Sequence, residues 1–227
     1  AARTLFYRVR DLEAGGEEGP SLNDGLIAYY PFNDNAQDAS GNGNDLTEQG
    51  SPAYVQGISG NAILFDGIDD LVITDRLVSA NGYTWTGWFK VLSEEAPGQD
   101  LHLMSQADVA SQISPVLRMR NSSELISFYS YTNFSHEVEY QDGGLSAREW
   151  RSVSVVVNDN GSKKLYVNGE LKDENSSAVE FGQLTSKFAM GGDYRAPQKY
   201  HHLQADEVRI YNRALSDAEL TELYDLE

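Results

Sequence analysis

The chain has 227 residues, no cysteine and a net charge of −18, with 17 basic against 35 acidic side chains. The length suits one all-β domain with a sizeable core, and the lack of cysteine excludes a disulfide framework and a thiolate metal site. The acidic balance argues against nucleic acid and anionic membrane surfaces as partners, and no apolar run is long enough for membrane insertion.

Residues 1–24 are predicted to stand apart from the main domain, residues 25–227. Residues 4–10 alternate as a strand does, and residues 11–20 are acidic, glycine-rich and poor in apolar side chains, which is typical of a linker. The run Phe6 to Arg10 resembles the last strand of a fibronectin type III module. It is therefore either a remnant of an upstream domain or an added edge strand.

Short strands separated by turn residues fill the rest of the chain. Alternation and composition predict strands at 26–32, 62–65, 71–74, 83–91, 101–106, 115–120, 125–131 and 136–140. Asp66-Gly67 predicts a short turn between two of them. Residues 83–91 carry Trp85 and Phe89 on one face and Trp88 on the other, which predicts a central strand.

A hairpin is predicted from Trp150 to Leu171, because Asn158-Asp159-Asn160-Gly161 is a turn sequence and Asn168-Gly169 is a second one.

The end of the chain predicts a strand, a turn and a helix. Apolar and polar residues alternate from Glu207 to about Arg213. Ser216 stands three residues before Glu219, so a capping box is expected to start one short helix with an apolar stripe at Leu220 and Leu223.

Four motifs together closely resemble the laminin-G-like, concanavalin A-like jelly-roll family, in collinear order from Gly25 to Leu223. They are the runs 25–32, 38–44, 62–70 and 205–220. The resemblance implies an all-β, two-sheet antiparallel β-sandwich with one short C-terminal helix, whose first and last strands lie side by side. The family is mostly a binding and adhesion module with varied ligands, so it implies little about the ligand of this chain.

The oxygen-rich turn 38–44 is the candidate metal site, with Asp38, Asn42 and Asn44 as ligands. Calcium prefers about 6–8 oxygen ligands in a flexible loop. The resemblance implies a structural calcium held also by the aspartate before the last strand, Asp206. The alternative is that Asp38 and Asn42 are Asx-turn residues bonded to their own backbone.

Asp66, Asp69 and Asp70 form a second acidic cluster, which in the family is mainly a structural turn.

The candidate ligand-binding residues are Tyr194, Arg195, Tyr200 and His201, within the loop 191–203. Exposed rings stack on sugar rings, and charged or amide side chains bind the hydroxyls. A second aromatic stretch contains Tyr129, Tyr131 and Phe134. The alternative for both stretches is that the rings belong to the core.

No catalytic motif of related jelly rolls is found. The E-x-D-x-x-E strand of glycoside hydrolases is missing, with Glu137-Val138-Glu139 the nearest match, and there is no G-x-S-x-G elbow. The sequence thus predicts a non-catalytic, calcium-stabilised module that binds a glycan or an extracellular or cell-surface protein. We expect it to be monomeric, within a larger multidomain protein that is secreted or at the cell surface. The alternatives are a structural spacer and a polysaccharide-degrading enzyme.

Overall fold

A computed structural model describes residues 21–75, 77–78, 82–92, 100–106, 115–120, 124–129, 137–143, 148–176, 187–193 and 199–226. Within these ranges the chain forms two antiparallel sheets and one short C-terminal helix, which confirms the predicted fold class. The strand predicted at residues 4–10 lies outside the described residues.

The described strands and the helix are, in chain order, β1 Leu26–Tyr30, β2 Thr47–Gln49, β3 Ala53–Gln56, β4 Asn61–Asp66, β5 Leu71–Thr74, β6 Tyr83–Val91, β7 Asp100–Ser105, β8 Val116–Arg120, β9 Leu125–Tyr129, β10 Val138–Gln141, β11 Arg151–Val157, β12 Lys163–Val167, β13 Glu170–Asn175, β14 Phe188–Met190, β15 His202–Tyr211 and α1 Asp217–Asp225.

The strands are divided between two sheets, here called sheet A and sheet B. Sheet A has the order β13-β12-β11-β6-β15-β4-β3, and β1 also pairs with β15. Sheet B has the order β10-β9-β8-β7-β14-β5-β2. The short turn predicted at Asp66-Gly67 therefore joins β4 of sheet A to β5 of sheet B, and these two strands do not pair with each other.

The first and last described strands lie side by side, as predicted. Leu26 is opposite Tyr211 and Tyr30 is opposite Val208 in the antiparallel pair of β1 and β15. The predicted hairpin from Trp150 to Leu171 is also confirmed, since β11 pairs with β12 and β12 with β13.

The core lies between the two sheets, and β6 is a central strand, as predicted. Trp85 is fully buried and meets Phe128 and Phe188 of sheet B edge-on, with ring centroids 5.9 and 5.7 Å apart. On the opposite face of β6, Trp88 stacks on Tyr224 of the helix at 5.6 Å. The large rings on the two faces of β6 thus pack against different elements, Trp85 against sheet B and Trp88 against the helix.

The helix α1 begins as the sequence predicts. Ser216 accepts a hydrogen bond from the backbone N–H of Glu219, and the Glu219 carboxylate accepts one from the backbone N–H of Ser216. Leu220 and Leu223 pack on the face of sheet A that points away from sheet B. Among the described residues, no helix has the length and apolar character that crossing a membrane requires.

Residues 21–24 are attached to this C-terminal segment. Arg213 donates from Nε to the carbonyl oxygen of Asp24 at 2.7 Å and from Nη2 to that of Ser21 at 3.2 Å. Leu22 packs against the apolar cluster under the helix. The contacts of the main domain therefore extend at least to Ser21.

Two glycines allow a test of how tightly the core is packed. Gly41 and Gly191 share a φ of +86°, but a Cβ on Gly41 would meet nothing within 4 Å, whereas a Cβ on Gly191 would lie 2.4 Å from Cδ1 of Phe65. Both alanine variants carry the same left-handed backbone strain. Gly191→Ala should therefore lose about 1–3 kcal/mol more unfolding free energy than Gly41→Ala, because it also overpacks the core. Urea denaturation measures this difference, and equal losses would contradict the packing described.

Candidate functional site

The Asp38 carboxylate organises the turn predicted to bind metal. Its Oδ1 accepts the backbone N–H groups of Tyr29 at 3.0 Å and Ser40 at 2.9 Å, and its Oδ2 accepts that of Asn44 at 3.0 Å. Burial alone would raise the pKa of Asp38, but a hydrogen bond from the Ser40 side chain and these backbone hydrogen bonds lower it below its ordinary value. Of these contacts, the one with Ser40, two residues on, is that of an Asx turn.

The two asparagines of the turn are tied to β1. Asn42 donates from Nδ2 to the carbonyl oxygen of Leu26 at 2.9 Å, and Asn44 donates from Nδ2 to that of Ile27 at 2.6 Å. Their amide nitrogens thus point to the strand.

Asp206 accepts hydrogen bonds from a different turn, the one between β3 and β4. It is 0% exposed. Its Oδ2 accepts the N–H groups of Ile58 at 2.8 Å and Ser59 at 3.1 Å, and its Oδ1 accepts that of Glu207 at 2.8 Å. A carboxylate has about four lone-pair sites, so Asp38 and Asp206 each keep at most one for a cation. The shared calcium site stays a prediction.

The second acidic cluster brings carboxylate oxygens of Asp66, Asp69 and Asp70 within 4.8 Å of one another. Asp70 accepts the N–H groups of Ser51 and Asp66, and Asp66 accepts that of Ile68. These hydrogen bonds fix the turn between β4 and β5, which agrees with a structural turn.

The structure describes part of the loop 191–203, here called the late loop. Tyr194 and Arg195 lie outside the described residues. Tyr200 is half-buried and bridges to Gly192, whereas His201 is only 1% exposed, and its ring centroid lies 5.8 Å from that of His102. His201 thus anchors the end of this loop on sheet B rather than displaying its ring to solvent. The role of all four residues in ligand binding stays a prediction.

His102 belongs to the face of sheet B that points away from sheet A, here called the outer face. On β8, Leu117 and Met119 enter the core and alternate with Val116, Arg118 and Arg120, which point outward. His102 is directly opposite Arg118, and Arg118 is opposite Ser127. The end of the late loop therefore lies on the same face as Arg118.

Arg118 is the centre of a polar group on this face, here called the Arg118 cluster. Its side chain is 2% exposed and donates from Nη1 to Asp100 at 2.6 Å and from Nη2 to Glu137 at 2.5 Å. Its Nε donates to Oγ of Ser127 at 2.9 Å, and its Cζ lies 4.5 Å from the centre of the Tyr129 ring. The remaining member is Arg120, which donates from Nε to Asp100 at 2.8 Å.

The two carboxylates of the cluster differ in their proton affinity. Burial raises the pKa of Glu137, and the charge of Arg118 only partly opposes this. Burial would also raise the pKa of Asp100, but a hydrogen bond from Arg120 and the charges of both arginines lower it instead. Asp100 is therefore firmly ionised, and Glu137 is the more easily protonated of the two.

This cluster was not predicted from the sequence. The alternation of Val116-Leu117-Arg118-Met119-Arg120 places two arginines on one strand face in a chain with only 17 basic residues, and this pattern could have indicated it. The partners Asp100 and Glu137 are 18 and 19 residues away from Arg118 in sequence, so they become visible only in the folded chain.

The sequence model of the Laminin_G_3 family, described as the concanavalin A-like lectin/glucanases superfamily, matches residues 65–221. Because this match covers more than half of the chain, the chain belongs to that superfamily, and the resemblance found from motifs is confirmed. No curated protein sequence matches the chain.

Similar solved structures include domain 4 of AbnA, a GH43 extracellular arabinanase from Geobacillus stearothermophilus, in complex with arabinotriose. It has 25% identity and a TM-score of 0.70, over 88% of this chain and 98% of that one. The binding domain of Paraclostridial Mosquitocidal Protein 1 has 18% identity and a TM-score of 0.73, over 91% of this chain and 53% of that one. The receptor binding domain of botulinum neurotoxin D has 19% identity and a TM-score of 0.70, over 90% and 53%. The chain spans about half the length of these two toxin domains, and their likeness shows the fold alone.

A pair of variants tests the electrostatics of the Arg118 cluster. Arg118→Met leaves two partly buried carboxylates without their shared partner, which should cost about 3 kcal/mol of unfolding free energy at pH 7. Arg120 is 37% exposed, so Arg120→Met should cost less than about 1 kcal/mol.

The cost of Arg118→Met should shrink as the pH falls from 7 towards the ordinary glutamate pKa of 4.5. Loss of the arginine raises the pKa of Glu137 in the folded state further, and a group with a raised folded pKa gains stability on protonation. Urea denaturation at several pH values measures this, and a deficit independent of pH would contradict it.

Proposed function

We propose that the chain is a non-catalytic carbohydrate-binding module of a larger extracellular protein, and that it binds glycan on the outer face of sheet B beside the late loop. The observation that carries this proposal is the likeness to the arabinanase domain, because it covers almost all of that domain, which is solved with an arabinotriose. The toxin domains named above are binding domains as well.

The location is supported by the link between the late loop and the Arg118 cluster. The contact of His201 with His102 sets the loop against β7, and His102 is the cross-strand neighbour of Arg118. Glycan hydroxyls need both donors and acceptors, and the cluster offers the carboxylates of Asp100 and Glu137 and the partly exposed guanidinium of Arg120.

The state of the carboxylates supports binding rather than hydrolysis. Asp100 and Glu137 both form ion pairs with the same guanidinium. General acid or base chemistry on a glycosidic bond needs a carboxyl group that can reach the substrate and exchange a proton. Either residue would first have to give up its partner.

The binding proposal predicts that Tyr200 contributes to the glycan contact. Tyr200→Ala should weaken binding of the best oligosaccharide from a glycan array by about tenfold, because a half-buried loop ring contributes contact area to a ligand. Isothermal titration calorimetry measures this effect.

Tyr54→Ala is the matched control, since Tyr54 is also half-buried but lies on β3 of sheet A. Equal effects of the two variants would argue against the late loop. An array without any glycan signal, together with capture of an extracellular protein, would favour the spacer or adhesion alternative.

A structural calcium at the Asp38 turn is a second proposal, supported by the half-buried carboxylate and the carbonyl-rich, glycine-containing turn around it. Protein shown by elemental analysis to hold calcium should lose about 5–10 °C of melting temperature in EDTA, as expected for a ligand near a hundredfold excess over its Kd. Asp38→Asn should remove this response.

Asp24→Asn is the control for the calcium experiment, because Asp24 also accepts a backbone N–H in a turn but is exposed. It should leave the EDTA response intact. Superimposable melts with and without EDTA would favour the Asx turn.

A further inference from the structure

Tyr129 is the aromatic member of the Arg118 cluster. It lies at the end of β9, is half-buried, and stands opposite the fully buried Val116 on the outer face. The guanidinium of Arg118 lies 4.5 Å from its ring centre and is itself held by Asp100, Glu137 and Ser127. One face of the Tyr129 ring thus contacts a guanidinium that is held in place by its own hydrogen bonds. This contact fixes the orientation of the ring.

Among the described residues beside this ring, carboxylates outnumber cations. Arg118 and Arg120 are both bonded to carboxylates. Glu139 adds a third carboxylate, since it is opposite Ser127. The pKa of Arg120 is raised by its hydrogen bond to Asp100 and by the negative charges of Asp100, Glu137 and Glu139. Three carboxylates face two guanidinium groups, within a chain whose net charge is −18.

We infer that Tyr129 is the stacking ring of the sugar-binding surface and that the ligand is an uncharged glycan. This inference rests on the proposed function and adds the residue and the ligand class. A neutral sugar ring can lie on the ring of Tyr129 while its hydroxyls donate to Asp100 and Glu137, whose side chains are 27% and 12% exposed. A uronate, sulfate or sialic acid group would be repelled by these carboxylates, because Arg118 and Arg120 are already paired with Asp100 and Glu137.

The test compares neutral and anionic oligosaccharides on the intact chain. Arabino-, xylo-, gluco- and manno-oligosaccharides form the neutral set, and oligogalacturonate, heparin fragments and sialylated glycans form the anionic set. The expected result is binding within the neutral set only. Binding to the anionic set would overturn the inference, whereas no binding in either set would overturn the proposed function itself.

Variants then test the residue by calorimetry with the best neutral ligand. Tyr129→Ala and Tyr129→Leu should each weaken binding about tenfold or more, because both remove the flat ring, while Tyr129→Phe should stay within about twofold of the native chain. Tyr29→Ala is the matched control, since the Tyr29 ring is also half-buried and lies 4.2 Å from an arginine Cζ, that of Arg209, but on sheet A. It should bind as the native chain does.

Thermal melts identify variants that remain folded, and Tyr129→Leu keeps the bulk of the side chain should Tyr129→Ala unfold. Native-like affinity in folded Tyr129→Leu would overturn the assignment of the stacking ring.

Discussion

The fold depends on strand β15, which pairs with three neighbouring strands. One edge pairs with β6, whereas the other pairs first with β4, around Leu203–Ala205, and then with β1, around Val208–Tyr211. The change of partner falls at a bulge where Glu207 has a φ of +51°. Asp206 binds the turn before β4, and Glu207 accepts hydrogen bonds from Tyr29 of β1 and from Arg209. Two buried acids therefore stabilise the point where this edge of β15 changes its partner from β4 to β1. Their contacts offset the strain at Glu207.

The two sheets cover their outer faces in different ways. Helix α1 covers the face of sheet A that points away from sheet B. Its leucines pack on Val156, Tyr166 and Tyr211 and form an apolar contact. Sheet B instead buries an arginine, a serine and a histidine in the middle of its outer face. A buried polar group is costly unless it is bonded, and Arg118 meets this requirement with three hydrogen-bond partners and one ring. Such a face adds less to folding than an apolar one would, and this is why we look for its function in recognition.

Local patterns in the sequence were sufficient for most of the fold. Alternation located β6, the hairpin of β11 and β12, and β15, and the spacing of Ser216 and Glu219 located the helix. The site was harder to predict, because its contacts join residues that are distant in sequence. Asp38 illustrates the difficulty. From composition alone, a carboxylate in a glycine-rich turn is as suited to binding a cation as to accepting hydrogen bonds from backbone N–H groups. Arg118 could have been noticed as an outward arginine on a strand, but its partners Asp100 and Glu137 are set by the register of β7, β8 and the chain before β10, which no local pattern specifies.

The burial of Arg118 also bears on how a module of this kind could gain affinity. A guanidinium that is exposed in the free protein must lose water and side-chain freedom when it meets a ligand, and that loss reduces the binding free energy. In this structure the desolvation and ordering of Arg118 have already occurred during folding, because carboxylates and the ring of Tyr129 surround it. A ligand that makes use of the ring and of the remaining acceptor sites on the carboxylates would therefore meet a surface that is already ordered. The same arrangement restricts the ligand, since a group that needed the positive charge of Arg118 would have to displace Asp100 or Glu137 and leave it buried without a partner.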